Sequence, residues 1–144
     1  MKCLSIDWDY FFHDDVYNQW DNLNIISNSP KIIIEDDHES ILNHLLNGDH
    51  VVNLDAHHDS GYEKWDKKLN CGNWVNFVDI NYTLYYPHWR RFKPEWSPHD
   101  GEHHYGLPQP DDYDLLFICK SLEFVHQRWH YLWDDFINKL SKHV

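Results

Sequence analysis

Four short apolar runs punctuate the chain: Lys2–Ile6, Lys31–Ile34, Val51–Leu54 and Leu115–Cys119. Three of them are nearly continuous and close on a polar residue: Ile32-Ile33-Ile34 before Glu35, Val51-Val52-Asn53-Leu54 before Asp55, and Leu115–Cys119 before Lys120. Continuous rather than alternating hydrophobicity is the pattern of strands buried on both faces of a parallel sheet. Between the runs the spacing turns helical. Ile41, Leu42, Leu45 and Leu46 form a short stripe closed by Gly48, and Trp74, Phe77 and Val78 form a second. Near the C-terminus, Trp129, Leu132, Trp133, Phe136, Ile137 and Leu140 follow i, i+3, i+4, i+7, i+8, i+11, which predicts an amphipathic helix. Strands alternating with helices predict an α/β fold, a three-layer α/β/α arrangement around a mostly parallel sheet.

The stretch Tyr85 to Asp112 breaks this pattern. It carries five of the six prolines together with Tyr85, Tyr86, Trp89, Phe92, Trp96 and Tyr105. Within a single domain of residues 1–144, it is expected to form a long irregular loop at about 85–112, with a short hairpin at Tyr82–Trp89. Its aromatic content makes it a candidate lid or substrate groove, with a packing loop as the plainer alternative.

Composition narrows the function. A formal net charge of −12 argues against a nucleic-acid surface and suits a cation-binding protein, although solubility alone accounts for an acidic surface. No apolar run approaches the ~20 residues of a membrane span. Met1-Lys2 leads directly into the first strand without a signal-type segment, so a cytoplasmic location is expected. Cys3, Cys71 and Cys119 are odd in number and widely spaced, hence reduced thiols rather than a disulfide framework. The 13 histidines are the strongest anomaly, since imidazole is the commonest transition-metal ligand at neutral pH.

Three acidic motifs close apolar strands. In Ser5-Ile6-Asp7-Trp8-Asp9, side chains two apart share one side of a strand, so Asp7 and Asp9 can converge at its carboxyl end, where α/β sheets bind ligands. In Asp55-Ala56-His57-His58-Asp59, Asp55, His57 and Asp59 stand at i, i+2, i+4 after the third run. In Glu35-Asp36-Asp37-His38-Glu39-Ser40, His38 follows the second strand, and a helix N-cap with dipole-favoured acids describes the same segment. Four carboxylates and two imidazoles are too oxygen-rich for a structural zinc site. They suit two hard octahedral ions such as Mn²⁺, whose +4 balances the four carboxylates and acidifies a shared water.

These segments resemble the metal motifs of arginases and related ureohydrolases: Asp55 to Asp59 resembles DAHxD, Asp36 to Ser40 a degenerate GGDHS, and Asp7-Trp8-Asp9 the DxD motif. The closer likeness is to small arginase-like proteins that include peptide arginases, which convert arginine residues of ribosomally made peptides to ornithine. Shared features are EDxH before a helix, DxHxD, Gly72-Asn73-Trp74, and a C-x-S-x-E-[FW] element from Cys119 to Phe124. The resemblance implies an arginase/deacetylase-like fold, minimal and rearranged, since DxD here precedes DAHxD. It implies two manganese ions, one held by His38, Asp55, Asp59 and Asp7, the other by Asp55, His57, Asp7 and Asp9. It further implies an arginine-containing precursor peptide as partner, with neither nucleic acid nor membrane, and Asn73 as a substrate contact.

Val75 stands where the family's proton-shuttling histidine falls, which leaves His13 and His58 as candidates to protonate the leaving amine. Glu123, just past the last strand, is the candidate carboxylate for a guanidinium, with an N-terminal helix acid as its alternative role. Competing functions are a metal-dependent amide deacetylase of the same fold, a phosphatase with an aspartyl nucleophile at Asp7-Trp8-Asp9, and a non-catalytic metal- or peptide-binding module. The phosphatase reading leaves His38 and His57 without a role.

Overall fold

In the computed structural model, the described residues are 1–13, 16–17, 23–62, 67–96 and 102–141, with backbone alone considered at 16–17, 102 and 141. The chain begins with β1 (Lys2–Asp7) and a 3₁₀ turn, Trp8–Phe11, followed by the two-residue strands β2 (Phe12–His13) and β3 (Val16–Tyr17). Next come β4 (Lys31–Glu35), β5 (His50–Leu54), β6 (Asn81–Tyr86), β7 (Glu102–Tyr105), β8 (Leu115–Cys119) and the helix α1 (Trp133–Ser141). Six strands form one sheet in the order β4-β8-β1-β5-β6-β7, every pair parallel. β2 and β3 make a separate antiparallel ribbon.

All four strands expected from the apolar runs are present. Continuous hydrophobicity corresponds to two-sided burial in the central three. Leu4, Ile6, Leu54, Leu116 and Ile118 enter one core with Phe136 and Leu140 of α1. Cys3, Val51, Leu115 and Phe117 enter the other, with Ile41, Trp74 and Leu84. β4 differs. It forms the sheet's edge, and Ile32 and Ile34 are 40% and 41% exposed.

The helices are fewer than the spacing predicts. The stripe at Ile41–Leu46 forms only a 3₁₀ turn, His38–Asn43, and the second stripe only Trp74–Phe77. Each stripe offers too few residues to repay helix nucleation, so short turns carry the buried side chains instead. The C-terminal pattern starts as a 3₁₀ turn, Gln127–Leu132, before α1. The architecture is α/β-like, with an all-parallel sheet and few helices.

The proline-rich stretch is more ordered than expected. Residues 81–86 form β6 with alternating burial, and 102–105 form β7, parallel to it. No hairpin forms at Tyr82–Trp89, because a 3₁₀ turn, His88–Arg91, leads the chain away from the sheet edge. Among the described residues, no helix is long and apolar enough to cross a membrane.

Candidate metal centre

Parallel register sets the site. Asp7 is level with Cys119 of the neighbouring β8, and Ile6 is level with Leu54 of β5, so Asp55 emerges beside Asp7. The chain leaves β1 for β4 on one side and later adds β5 on the other, so these carboxyl ends flank the crevice where strand order reverses. His38 arrives from the turn after β4.

Nδ1 of His38 lies 3.1 Å from Asp7 Oδ2, 3.4 Å from Asp55 Oδ2 and 3.2 Å from Asp59 Oδ2. Nδ1 of His57 lies 3.1 Å from Asp9 Oδ2 and 3.7 Å from Asp55 Oδ1. Two donor groups result, Asp7–His38–Asp55–Asp59 and Asp9–Asp55–His57. Asp55 belongs to both and presents one oxygen to each histidine. Asp7 groups with His38 rather than with His57.

The six residues expected as ligands therefore come together. The two groups differ in access: the His38 side chain is 1% exposed, that of His57 37%. The first group offers four protein donors and the second three, and one cavity is lined by Asp7 and Asp59 of the first group and by Asp9 and His57 of the second. Open coordination on a three-donor site is the arrangement that admits a water or substrate.

The electrostatics of the cluster bear on what it could hold. Asp7, Asp9, Asp55 and Asp59 are all buried. With all four carboxylates ionised and both imidazoles protonated, the cluster would stand at −2. Burying uncompensated charge costs several kcal/mol per ion. Burial, then the charges of Asp7 and Asp55, pushes the Asp9 carboxyl well above its usual range, and burial with Asp55 does the same to Asp59. Burial opposes ionisation of Asp55 too, but His38 and His57 outweigh it and hold Asp55 far below the ordinary value. Asp9 Oδ1 is buried without a hydrogen-bond partner. An oxygen-rich donor set with surplus negative charge and an orphaned carboxylate oxygen fits hard divalent ions.

Supporting contacts fix the donors. Ser5 Oγ sits 2.7 Å from His38 Nε2, so a proton on Nε2 frees Nδ1 for a metal. Trp74 Nε1–H donates to Asp59 Oδ2 at 2.7 Å, and Asn53 Nδ2 donates to Asp55 Oδ2 at 3.3 Å. Asp59 itself is held at φ 58°, a left-handed conformation that Asp tolerates better than most residues. Hydrogen bonds from Val75 N to Asp59 O and from Gly61 N to Gly72 O hold its loop against the 70–76 segment.

Several of these contributors are not evident from the sequence. Cys119, read there as a free thiol, places its sulfur with Asp7 and His38. Burial, then the charge of Asp7, pushes its thiol up, keeping it protonated. Glu95 is another. Its carboxylate accepts from His58 N at 2.8 Å, Tyr86 OH at 2.9 Å and Tyr62 OH at 3.1 Å, clamping the 87–96 segment onto the Asp55–Asp59 loop. Arg90 completes the clamp by donating to Ala56 O at 2.8 Å. No sequence signal marks Glu95, but the side-by-side placement of Asp7 and Cys119 at two strand ends could have marked the thiol.

The expected catalytic and substrate residues are placed differently. His58 is fully buried, with Nε2 donating to Trp96 O and Nδ1 accepting from Ser60 N, so both ring nitrogens serve loop structure. Burial lowers its pKa. His13 stacks on Trp89 at 4.1 Å, outside the cavity lining. Asn73 is fully buried, donating to Lys68 O and accepting from Asn70 N, and so organises its loop.

The cavity over the two groups has a volume of about 220 Å³ and is walled by Tyr62, Cys71, Gly72, Ser121 and Phe124 above a floor of Asp7, Asp9, His57 and Asp59. That is below the ~300 Å³ at which drug-sized pockets begin, and suits one side chain. Glu123 is exposed and lines an adjoining groove of about 590 Å³ with Phe12, Phe124 and Trp129. Phe124 borders both spaces, and the negative charge of Glu123 acts on Cys71 in the cavity wall. No family model, curated protein or solved structure matches this chain.

Proposed function

We propose that this chain is a binuclear manganese hydrolase of arginase-like, three-layer α/β/α type, cleaving the guanidinium of arginine residues in a peptide to ornithine and urea. The observation that carries the reading is the sharing of buried Asp55 between two adjacent donor groups, both of which put carboxylates into one side-chain-sized cavity. His38, Asp7, Asp55 and Asp59 would hold one ion, and Asp9, Asp55 and His57 the other. Bound divalent ions supply Lewis acidity and lower the pKa of a shared water.

The reaction adds water across one bond. A C–O bond forms at the guanidinium carbon, its bond to the side-chain nitrogen breaks, and that nitrogen leaves as the ornithine amine with a proton. Tyr62 and Phe124 wall the space for the side chain above the acidic floor. Glu123, in the adjoining groove next to Phe124, would offer the carboxylate for charge-assisted hydrogen bonds to the guanidinium. Aromatic groups of the adjoining groove supply apolar contact for flanking peptide.

A metal-binding module without turnover is the second reading. One observation favours it: neither His13 nor His58 lines the cavity, and His57 is the imidazole that does. Incubation with Mn²⁺ and an arginine-containing peptide, read by mass spectrometry, separates the two. Conversion of arginine to ornithine with equimolar urea supports hydrolysis. Full metal occupancy with unchanged peptide supports the module.

A further inference from the structure

β4 lies at one edge of the sheet, and among the described residues nothing pairs with its outer side. Its sequence is Lys31-Ile32-Ile33-Ile34-Glu35. An exposed apolar edge strand is a template for pairing with another chain, and proteins usually blunt such edges with charge or cover them. Here the charges sit only at the two ends and have opposite sign. Neither the Lys31 nor the Glu35 side chain has an ion-pair partner among the described residues.

Backbone polarity specifies the pairing register. The Glu35 carbonyl accepts from Lys120 N, so it points inward toward the β8 side of the sheet. Neighbouring residues of a strand point their backbone groups to alternate sides, so Ile33 and Lys31 also point inward, and Ile32 and Ile34 point outward. We infer that β4 pairs antiparallel with β4 of a second copy of this chain, about a two-fold axis at Ile33, extending the sheet across a homodimer.

In this register Ile32 of each copy faces Ile34 of the other, and these residues exchange backbone hydrogen bonds through the groups that otherwise lack sheet partners. The exposed side chains of Ile32 and Ile34 from both copies then form one apolar cluster. Lys31 of each copy faces Glu35 of the other in a non-hydrogen-bonded pair, where opposed side chains approach most closely. The strand is thus self-complementary in backbone, apolar surface and charge, as an isologous interface requires. Antiparallel pairing points the carboxyl ends of the two sheets in opposite directions, so the two metal centres open at opposite ends of the dimer. This inference does not depend on the proposed catalytic activity.

The test is sedimentation velocity across a concentration series with charge-exchanged variants of the full chain. Lys31→Glu and Glu35→Lys each place like charges opposite one another at both ends, and each is expected to weaken dimerisation roughly tenfold to a hundredfold. An equimolar mixture of the two single variants restores opposite charges at both ends and should dimerise as the wild type does. The double variant Lys31→Glu/Glu35→Lys should do likewise, and it remains decisive if either single variant folds poorly. A wild-type chain monomeric throughout the series, single variants that dimerise like wild type, or a mixture and double variant that both stay monomeric would each overturn the pairing.

Discussion

Ser5 Oγ lies 2.7 Å from Nε2 of His38, on the side of the ring opposite the carboxylates. With the hydroxyl accepting from Nε2–H, the Nδ1 that faces Asp7 and Asp59 carries a proton in the metal-free centre and would give it up to offer a lone pair to a metal. Ser5 is fully buried one residue-pair along β1 from Asp7, so strand geometry builds the orienting group and the ligand together.

Replacing Ser5 by alanine is therefore expected to cost metal affinity without dismantling the sheet. Loss of such a supporting hydrogen bond typically lowers affinity about 10- to 100-fold. Calorimetric titration of the metal-free protein with Mn²⁺ measures it. Unchanged affinity would show that packing against Trp74 and Phe117 alone orients the ring.

Asp55→Asn and Glu123→Gln separate metal binding from substrate recognition. A neutral amide is a poor bridge between two cations, so Asp55→Asn should lose metal and activity together. Glu123→Gln should keep both ions while kcat/KM on an arginine peptide falls, with a rise in KM if ground-state binding is also lost. Metal content measured beside peptide kinetics distinguishes them. Wild-type kinetics in Glu123→Gln would move guanidinium recognition to another carboxylate, and loss of metal would place Glu123 among the ligands' supports.

Protons and metal compete for the same atoms. In the metal-free protein burial opposes charge on His57, yet Asp55 and Asp9 outweigh it and hold its pKa up at about 12. His38, although buried, is likewise raised by Asp55, Asp59 and Asp7. A raised folded-state pKa contributes stability that is complete below the unfolded value of about 6.5 and is lost progressively above it. The metal-free protein should lose part of this contribution between about pH 6 and about pH 8, with the loss continuing toward about pH 12, whereas metal binding, which needs neutral imidazole, should strengthen. Thermal melting with and without Mn²⁺ reads both, and the metal-induced rise in Tm should be larger at about pH 8. A rise that shrinks with pH would contradict protonated histidines in the metal-free centre.

The small cavity and the larger adjoining groove predict a preference for peptidyl over free arginine. A cavity of about 220 Å³ holds a side chain, and the groove shares Phe124 with it. Steady-state comparison of an arginine peptide with free L-arginine should show higher kcat/KM for the peptide. Equal values would remove the groove from substrate recognition.

The candidate metal ligands were legible because each follows an apolar run that reads as a strand, and parallel register then brings Asp7, Asp55 and His38 to one edge. What supports them was not. Ser5 carries no local signature, and Trp74 stands out only within the Gly72-Asn73-Trp74 likeness, since their value lies in contacts to His38 and Asp59 across 33 and 15 residues of chain. From the sequence, β6 reads only as part of a short hairpin at Tyr82–Trp89, because its Asn81–Tyr86 run leads into Pro87 and a proline-rich stretch, the signal of a turn or loop rather than an inner strand. β4 showed the converse error: its three isoleucines predict two-sided burial, but it lies at an edge where only Ile33 packs inward. His58 was singled out by adjacency to ligands, although the strand-end turn aims it at Trp96 and Ser60, away from the cavity.

The measurement that most directly tests the shared centre is metal content per chain after purification with Mn²⁺ present, for wild type beside Asp55→Asn. Two donor groups joined by one carboxylate predict a ratio near two in the wild type and a loss extending to both ions in the variant. A reproducible single zinc in the wild type, with no further uptake or gain of activity on adding Mn²⁺, would contradict it.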